Sequence, residues 1–238
     1  FRSKTEHPVW RRIWDYGFFG SSAAAALLFG VAGGNLMQGM PVDRDLVVHQ
    51  TVFQQLTLFP LLVGGLTLML FTMHGAIFLY LKTEGDLQQQ AERWIWRAFG
   101  LFLILYILTT MYTLVQIPRA IENLREYPWM WIVPVLNVLA IANIPRAIFL
   151  RRPGYAFLSS CATIAALGFL FAAALYPNLL PSSLDAAWSV TIFNGRSSER
   201  TLGIMLIIAV IGMPCVLSYT AAIYWVFRGK VKLDHTSY

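Results

Sequence analysis

Polar and apolar residues do not alternate along this chain with the short periods of a soluble fold. Apolar residues run on for about twenty positions at a time and then give way to short polar links. Six such runs occur, at Tyr16–Leu36, Leu56–Leu81, Ala98–Gln116, Trp129–Leu150, Tyr155–Tyr176 and Leu202–Phe227. A helix rises 1.5 Å per residue, so a run of ~20 residues matches the ~30 Å hydrocarbon core of a bilayer. The pattern predicts six transmembrane helices, an all-α polytopic membrane bundle forming a single membrane domain over residues 1–238.

Composition strengthens this reading. Of the 238 residues, 57% are hydrophobic and 13% are charged, and the mean hydropathy is +0.58. A soluble domain carries about a quarter charged residues. None of the twelve carboxylates falls inside a predicted span.

The net charge of +6 changes the picture through its position. Arg2, Lys4, Arg11, Arg12, Lys82, Arg93, Arg97, Arg146, Arg151, Arg152, Arg228, Lys230 and Lys232 all fall on one side of a six-span alternation. Arg44, Arg119, Arg125, Arg196 and Arg200 fall on the other. Basic loops stay cytoplasmic, which places both ends of the chain inside. The bases cluster at span ends instead of forming a stripe with interleaved aromatics, so no nucleic-acid partner is expected. Trp10, Trp14, Trp94, Trp96, Trp129, Trp131 and Trp225 also lie near span ends, where amphipathic rings suit the headgroup layer. Trp188 stands apart in a long outer loop from Pro177 to Thr201.

Within the spans a few residues invite closer reading. Ser22, Ala26, Gly30 and Gly34 recur every four residues on one face of the first span. Such a face lets a second backbone approach, although an ordinary Ala/Gly-rich membrane helix gives the same pattern. Pro214, beside Gly212, removes a helix donor and predicts a kink in the last span. Asp86 followed by Gln89 has the spacing of a capping box. Cys161 and Cys215 both lie in apolar runs and read as free thiols packed among helices.

Chemistry-bearing residues are sparse. His74 is the ionisable group at membrane depth; it has the chemistry of a haem ligand or proton carrier, but hydrogen bonding near the interface is the commoner role. Asn137 and Asn143 fit either a polar pathway or interhelical hydrogen bonds, and the second is the simpler. Met69, Met73, Met111, Met205 and Met213 are conceivable haem ligands, yet methionine in apolar helices is mostly packing material. No zinc pattern, phosphate loop, nucleophile–base pair or paired carboxylate appears. The residues alone describe a packing and interaction subunit instead of a catalyst. The other class, a small-molecule transporter, needs polar groups at mid-membrane and broken helices in repeated positions.

Several segments carry a specific resemblance. Phe1-Arg2-Ser3-Lys4 leads into Trp10-Arg11 and Trp14-Asp15, and Phe29-Gly30-Val31-Ala32 is followed by Gly34-Asn35, Gln38-Gly39 and Pro41. His74-Gly75-Ala76 precedes Leu81-Lys82-Thr83-Glu84-Gly85; Pro177-Asn178-Leu179-Leu180-Pro181 precedes Asn194; Gly212-Met213-Pro214 precedes Tyr224-Trp225-Val226-Phe227-Arg228-Gly229-Lys230. Together these resemble the smaller subunit, subunit II, of cytochrome bd-type quinol oxidases, over nearly the whole chain.

The resemblance implies a bacterial cytoplasmic-membrane protein working beside a larger subunit I that holds two b-type haems and one d-type haem. Quinol supplies the electrons and dioxygen is reduced to water. It implies no haem ligated by this chain and about nine spans in a full-length member, so this chain reads as the C-terminal two-thirds. The missing initiator Met agrees. Small accessory subunits, a structural quinone and bound membrane lipid belong to the same expectation. Asn35, Gln38, His74, Lys82, Glu84 and Asn194 are the polar members of the matching motifs, expected at helix ends and subunit contacts.

Overall fold

A computed structural model describes residues 7–230. Six helices in it are long and apolar enough to cross a membrane. They are α1 (Pro8–Gln38), α2 (Leu58–Lys82), α3 (Gly85–Gln116), α5 (Ile132–Phe149), α6 (Pro153–Leu175) and α7 (Glu199–Val226). A one-turn helix, α4 (Glu122–Glu126), lies in the link between α3 and α5. Each of the six predicted spans falls on one of these helices.

The boundaries differ where helices outrun the bilayer. α1 begins eight residues before the predicted Tyr16, at Pro8, a residue suited to the first turn because its missing N–H has no partner there anyway. α3 begins at Gly85, so Asp86 lies inside the first turn and the expected Asp86–Gln89 capping box is not formed. The N-cap position belongs to Glu84, whose side chain makes no cap hydrogen bond. α7 runs through Pro214 as one helix.

α2, α3, α5 and α6 enclose the main core. Leu66, Leu70, Met73 and Ile77 of α2 meet Ile95 and Phe102 of α3, Ile141, Ile144 and Ile148 of α5, and Ala156 of α6. The α5 residues recur at i, i+3 and i+7, one stripe of a helix facing one core. Polar hydroxyls inside the bundle turn back on their own helices: Thr67 bonds the Val63 carbonyl, Thr72 that of Leu68 and Thr163 that of Ser159, at 2.7–2.9 Å. Such back-bonding lets a hydroxyl sit in hydrocarbon without an unmet donor.

α1 lies against α2 through a seam of small residues. A Cβ on Gly30 would sit 2.5 Å from Thr67 Oγ1 and 2.7 Å from Gly64 Cα. One on Gly34 would fall 2.6 Å from Pro60 Cα, and one on Gly64 2.8 Å from Val31 Cγ2. These are backbone approaches that no side chain can share. Farther along the same face Ala26 is half-buried and Ser22 is exposed, so the close contact occupies only the second half of α1.

The α5–α6 turn is tight. The Arg152 N–H donates to the Ala147 carbonyl and that of Arg151 to Ile148, both at 2.9 Å, the two bonds of a Schellman helix end. Arg151 stands at φ 53°, the left-handed position where glycine is usual and an L side chain costs ~1–2 kcal/mol. At the opposite membrane face Pro177–Ser198 folds over the bundle as a cap, with a two-stranded antiparallel pair, β1 (Asn178–Leu180) and β2 (Val190–Thr191). It is tied to the loop after α1 by Met40 N–H to the Pro181 carbonyl (3.0 Å) and Ser182 Oγ to the Val42 carbonyl (2.7 Å). α7 stands to one side, none of its residues buried by the rest of the described chain.

Replacing Gly30 or Gly34 with Leu is expected to abolish the α1–α2 contact and lower the yield of folded protein in detergent extracts. Gly17→Leu, at a position with nothing within 4 Å of a new Cβ, serves as control. Equal yields from all three variants would remove the seam as a determinant of the fold.

Candidate functional site

The six polar motif residues do not converge. Asn35, Gln38 and Asn194 lie at the face bearing the loop cap, Lys82 and Glu84 at the opposite face, and His74 within α2 between them.

Each is occupied locally. Asn35 is buried and its Nδ2 donates both to the Val31 carbonyl (2.9 Å) and to the Gln55 carbonyl (3.0 Å), fastening the loop after α1 to the helix end. Gln38 Oε1 accepts from Thr57 Oγ1 at 3.1 Å, joining the end of α1 to the start of α2. Asn194 accepts from the Thr191 N–H at 2.6 Å and donates to the Ser189 carbonyl at 3.0 Å, closing the turn after β2. Lys82 Nζ reaches the Phe227 carbonyl (2.6 Å) and the Gly229 carbonyl (3.4 Å), satisfying the exposed end of α7. A cation there also complements the negative end of the helix dipole. Glu84 pairs with Lys230 at 3.4 Å across the same junction, an exposed pair of small energetic weight.

His74 has a more enclosed setting. Its Nδ1 lies 2.8 Å from Ser160 Oγ on α6, and its ring stacks on Phe157 with centroids 5.0 Å apart. The Ser160 hydroxyl in turn donates to the Phe157 carbonyl at 2.8 Å. One nitrogen and one ring face are therefore committed to α6. Ser160 donates onward, so Nδ1 carries the proton in this pair and the hydrogen bond fixes the imidazole's tautomer and orientation. Among the described residues no group of three or more His, Cys, Asp and Glu side chains gathers.

The capping contacts of Arg119 and Asn123 were not evident from the sequence, whereas the interhelical bond expected of Asn143 is formed. Arg119, just after α3, donates from Nη2 to the Met37 carbonyl at 2.7 Å and so caps α1 from a distant segment. Burial pulls its pKa below the ordinary arginine value, with Glu122 opposing. Asn123 Nδ2 donates to the Ala173 and Tyr176 carbonyls at 2.7 and 2.6 Å, capping α6. Asn143 Nδ2 donates to Ser159 Oγ at 2.8 Å, an interhelical bond worth ~0.6–1.7 kcal/mol in a membrane. Asn137 differs: it is fully buried, and neither amide atom has a partner in the described chain. The last carbonyls of each helix require donors, which is the general signal for Arg119 and Asn123, though their pairing depends on the fold. Cys161 and Cys215 are free thiols.

These contacts fasten helix ends and loops; none arranges groups for bond-making chemistry. Against that background the comparison with known proteins is informative. The family model for cytochrome bd terminal oxidase subunit II matches residues 1–227. The chain belongs to that family. A probable cytochrome oxidase subunit 2 from Haemophilus influenzae is 30% identical, covering 97% of this chain and 69% of that protein. The cytochrome bd-I ubiquinol oxidase subunit 2 of Escherichia coli K12 is also 30% identical with the same coverage, and the cytochrome bd ubiquinol oxidase subunit 2 of Bacillus subtilis is 28% identical, covering 97% and 68%. The bd oxidase structure from Geobacillus thermodenitrificans matches in fold with a TM-score of 0.68 at 16% identity, over 86% of this chain and 61% of that one. As a subunit II this is a multi-pass protein of the bacterial inner membrane and part of a haem-containing, multi-subunit oxidase; the transporter alternative falls away.

Two expectations follow from the geometry. Arg119→Ala removes a charged donor from a half-buried carbonyl and should cost about 1.5–3 kcal/mol, read as a lowered unfolding midpoint in detergent. An unchanged midpoint would show the contact to be idle. In the loop after α1, Asp43 pairs with His49 and accepts from the Val47 and Asp45 N–H groups at 2.9 Å. The His49 bond, then those backbone donors, hold its carboxyl below the ordinary 3.8. A lowered carboxyl pKa means the clamp is present above ~3.8 and is lost as pH falls through the depressed value. Limited proteolysis of residues 43–57 should therefore stay flat from neutral pH down to that range, and Asp43→Ala should cleave faster at all pH values above it.

Proposed function

We propose that this chain is the non-haem-bearing membrane subunit of a quinol oxidase that oxidises quinol and reduces dioxygen to water in aerobic respiration. Its role is to stabilise a larger subunit, subunit I, which carries the haem b and haem d groups, and to wall that subunit off from lipid. Excluding water and lipid from an oxygen-reducing site protects reactive intermediates, and a packed neighbour provides that enclosure. Both termini of the chain lie on the cytoplasmic side in this reading, in keeping with the basic side of the alternation.

One observation carries the proposal. All six polar residues of the family-like motifs make contacts within their own chain and do not converge: Asn35, Gln38, Asn194 and Lys82 on helix ends and loops, Glu84 on Lys230, and His74 on Ser160. Residues kept for chemistry would leave donor or acceptor capacity aimed at a common point. Residues kept for shape would not. The apolar surface supports the same role, since Phe18, Phe19, Ile207, Ile208, Leu217 and Tyr219 on α1 and α7 are exposed and suited to lipid or to neighbouring helices. Small accessory subunits and a structural quinone belong to the family expectation and have no assigned residues in this chain.

The test is spectroscopic. The complex purified through a tag on this chain should show haem b and haem d absorption, and His74→Phe should leave the haem content per complex unchanged. Loss of one haem from a complex that still contains both subunits in equal amounts would make His74 a ligand and end the scaffold reading. Absence of any haem absorption from the wild-type complex would end the oxidase reading itself.

A further inference from the structure

On the face opposite the loop cap, the start of α3, the end of α2 and the α5–α6 turn leave a cleft of about 510 Å³. Tyr80, Gln89, Glu92, Arg93, Trp96 and Arg151 line it. It lies at the level of the helix-end tryptophans, where the headgroup layer meets water. Among the described residues, no hydrogen bond or ion pair is made by the Arg93 or Arg151 guanidinium or the Glu92 carboxylate. Three unpaired charges, two positive and one negative, thus share one pocket.

The backbone adds an independent sign. Arg151 is the left-handed residue of the α5–α6 Schellman end, a position that glycine fills without strain. An arginine there accepts backbone strain, and strain of this kind gathers at ligand sites. Its side chain lines the cleft from the turn side and Arg93 lines it from α3. Guanidinium groups recognise phosphate oxygens through paired N–H donors, and basic pockets between membrane helices hold lipid headgroups.

We propose that this cleft is a binding site for the headgroup of a phosphoethanolamine lipid. The phosphate sits between Arg93 and Arg151, and the ammonium is met by Glu92. Trp96 and Tyr80 flank the glycerol region, and the acyl chains run down the apolar side of the bundle. The charge pattern selects this headgroup: a purely anionic lipid would leave Glu92 facing like charge, and a free phosphate would leave both Glu92 and the aromatic wall unused.

The test uses the intact complex purified through this chain, stripped by repeated detergent washing in phosphate buffer, with retained lipid identified by mass spectrometry. Wild type should keep a phosphatidylethanolamine through washing. Arg93→Gln and Arg151→Gly should each weaken retention about tenfold, the loss expected when a charge-assisted contact is removed. Arg151→Gly also relieves the left-handed backbone, so its thermal midpoint should hold or rise, separating loss of the lipid from loss of the fold. Glu92→Gln should shift the retained species toward phosphatidylglycerol. Retention of the same lipid in both arginine variants would overturn the proposal, as would displacement of lipid by phosphate in the wild type or equal retention of both lipids regardless of residue 92. None of these readouts depends on haem, so they stand or fall separately from the oxidase reading.

Discussion

In hydrocarbon there is no water to complete a hydrogen bond, so each polar group at membrane depth must be satisfied by the protein itself. This constraint explains most of what the side chains inside the bundle do. Threonines bend back to carbonyls four residues earlier, Asn143 finds Ser159, and His74 finds Ser160. Helix ends are closed by donors sent from elsewhere: Arg119 to α1, Asn123 to α6 and Lys82 to α7. The contacts of these side chains therefore serve mainly to close helix ends and to join neighbouring helices.

Packing supplies the rest of the order, because lipid gives helices no water-driven reason to associate. The α1–α2 seam works by removing side chains, with Gly30, Gly34 and Gly64 each in a place where a Cβ would meet backbone or branched carbon. The α2–α3–α5–α6 core works by filling space with Phe102, Met73 and a ladder of isoleucines. The two devices divide the chain. The four-helix core holds itself together, α1 attaches by close approach, and α7 is held at its ends through the Lys82–Phe227 contact and the loop that precedes Ser198.

The spans were legible because bilayer thickness imposes a length that apolar runs must match. Helix starts were less so. α1 and α3 continue past the bilayer as ordinary water-exposed helix, and hydropathy falls before helicity does; hence Gly85, not Asp86, begins α3. The small-residue stripe was visible as a period of four, but its register against α2 was not, and Ser22 proved to lie exposed beyond the close contact that buries Gly30 and Gly34. The two-stranded pair in the loop cap, the capping roles of Arg119 and Asn123, and the left-handed Arg151 depend on which segments meet in space. A single strand of sequence carries no direct sign of those meetings.

Asn137 and Asn143 show how far that dependence reaches. Both are asparagines of one membrane helix, six residues apart, and by pattern they are equivalent. Six residues at 100° each turn the second about 120° from the first in the opposite sense, so they address different neighbours. Asn143 faces the hydroxyl side of α6 and gains Ser159. Asn137 falls on the stripe of Ile141, Ile144 and Ile148, fully buried and without a partner in the described chain. Burying an unpaired amide costs roughly 1–3 kcal/mol in proteins. A fully buried isoleucine or phenylalanine returns ~1.5–3 kcal/mol in water-referenced terms, but much less inside lipid, where dispersion and shape do the work. An Asn137 without any partner would weaken the apolar stripe by that amount, and the helix orientation that places it there is set by packing within the α2–α3–α5–α6 core, with hydrogen bonding following where geometry permits.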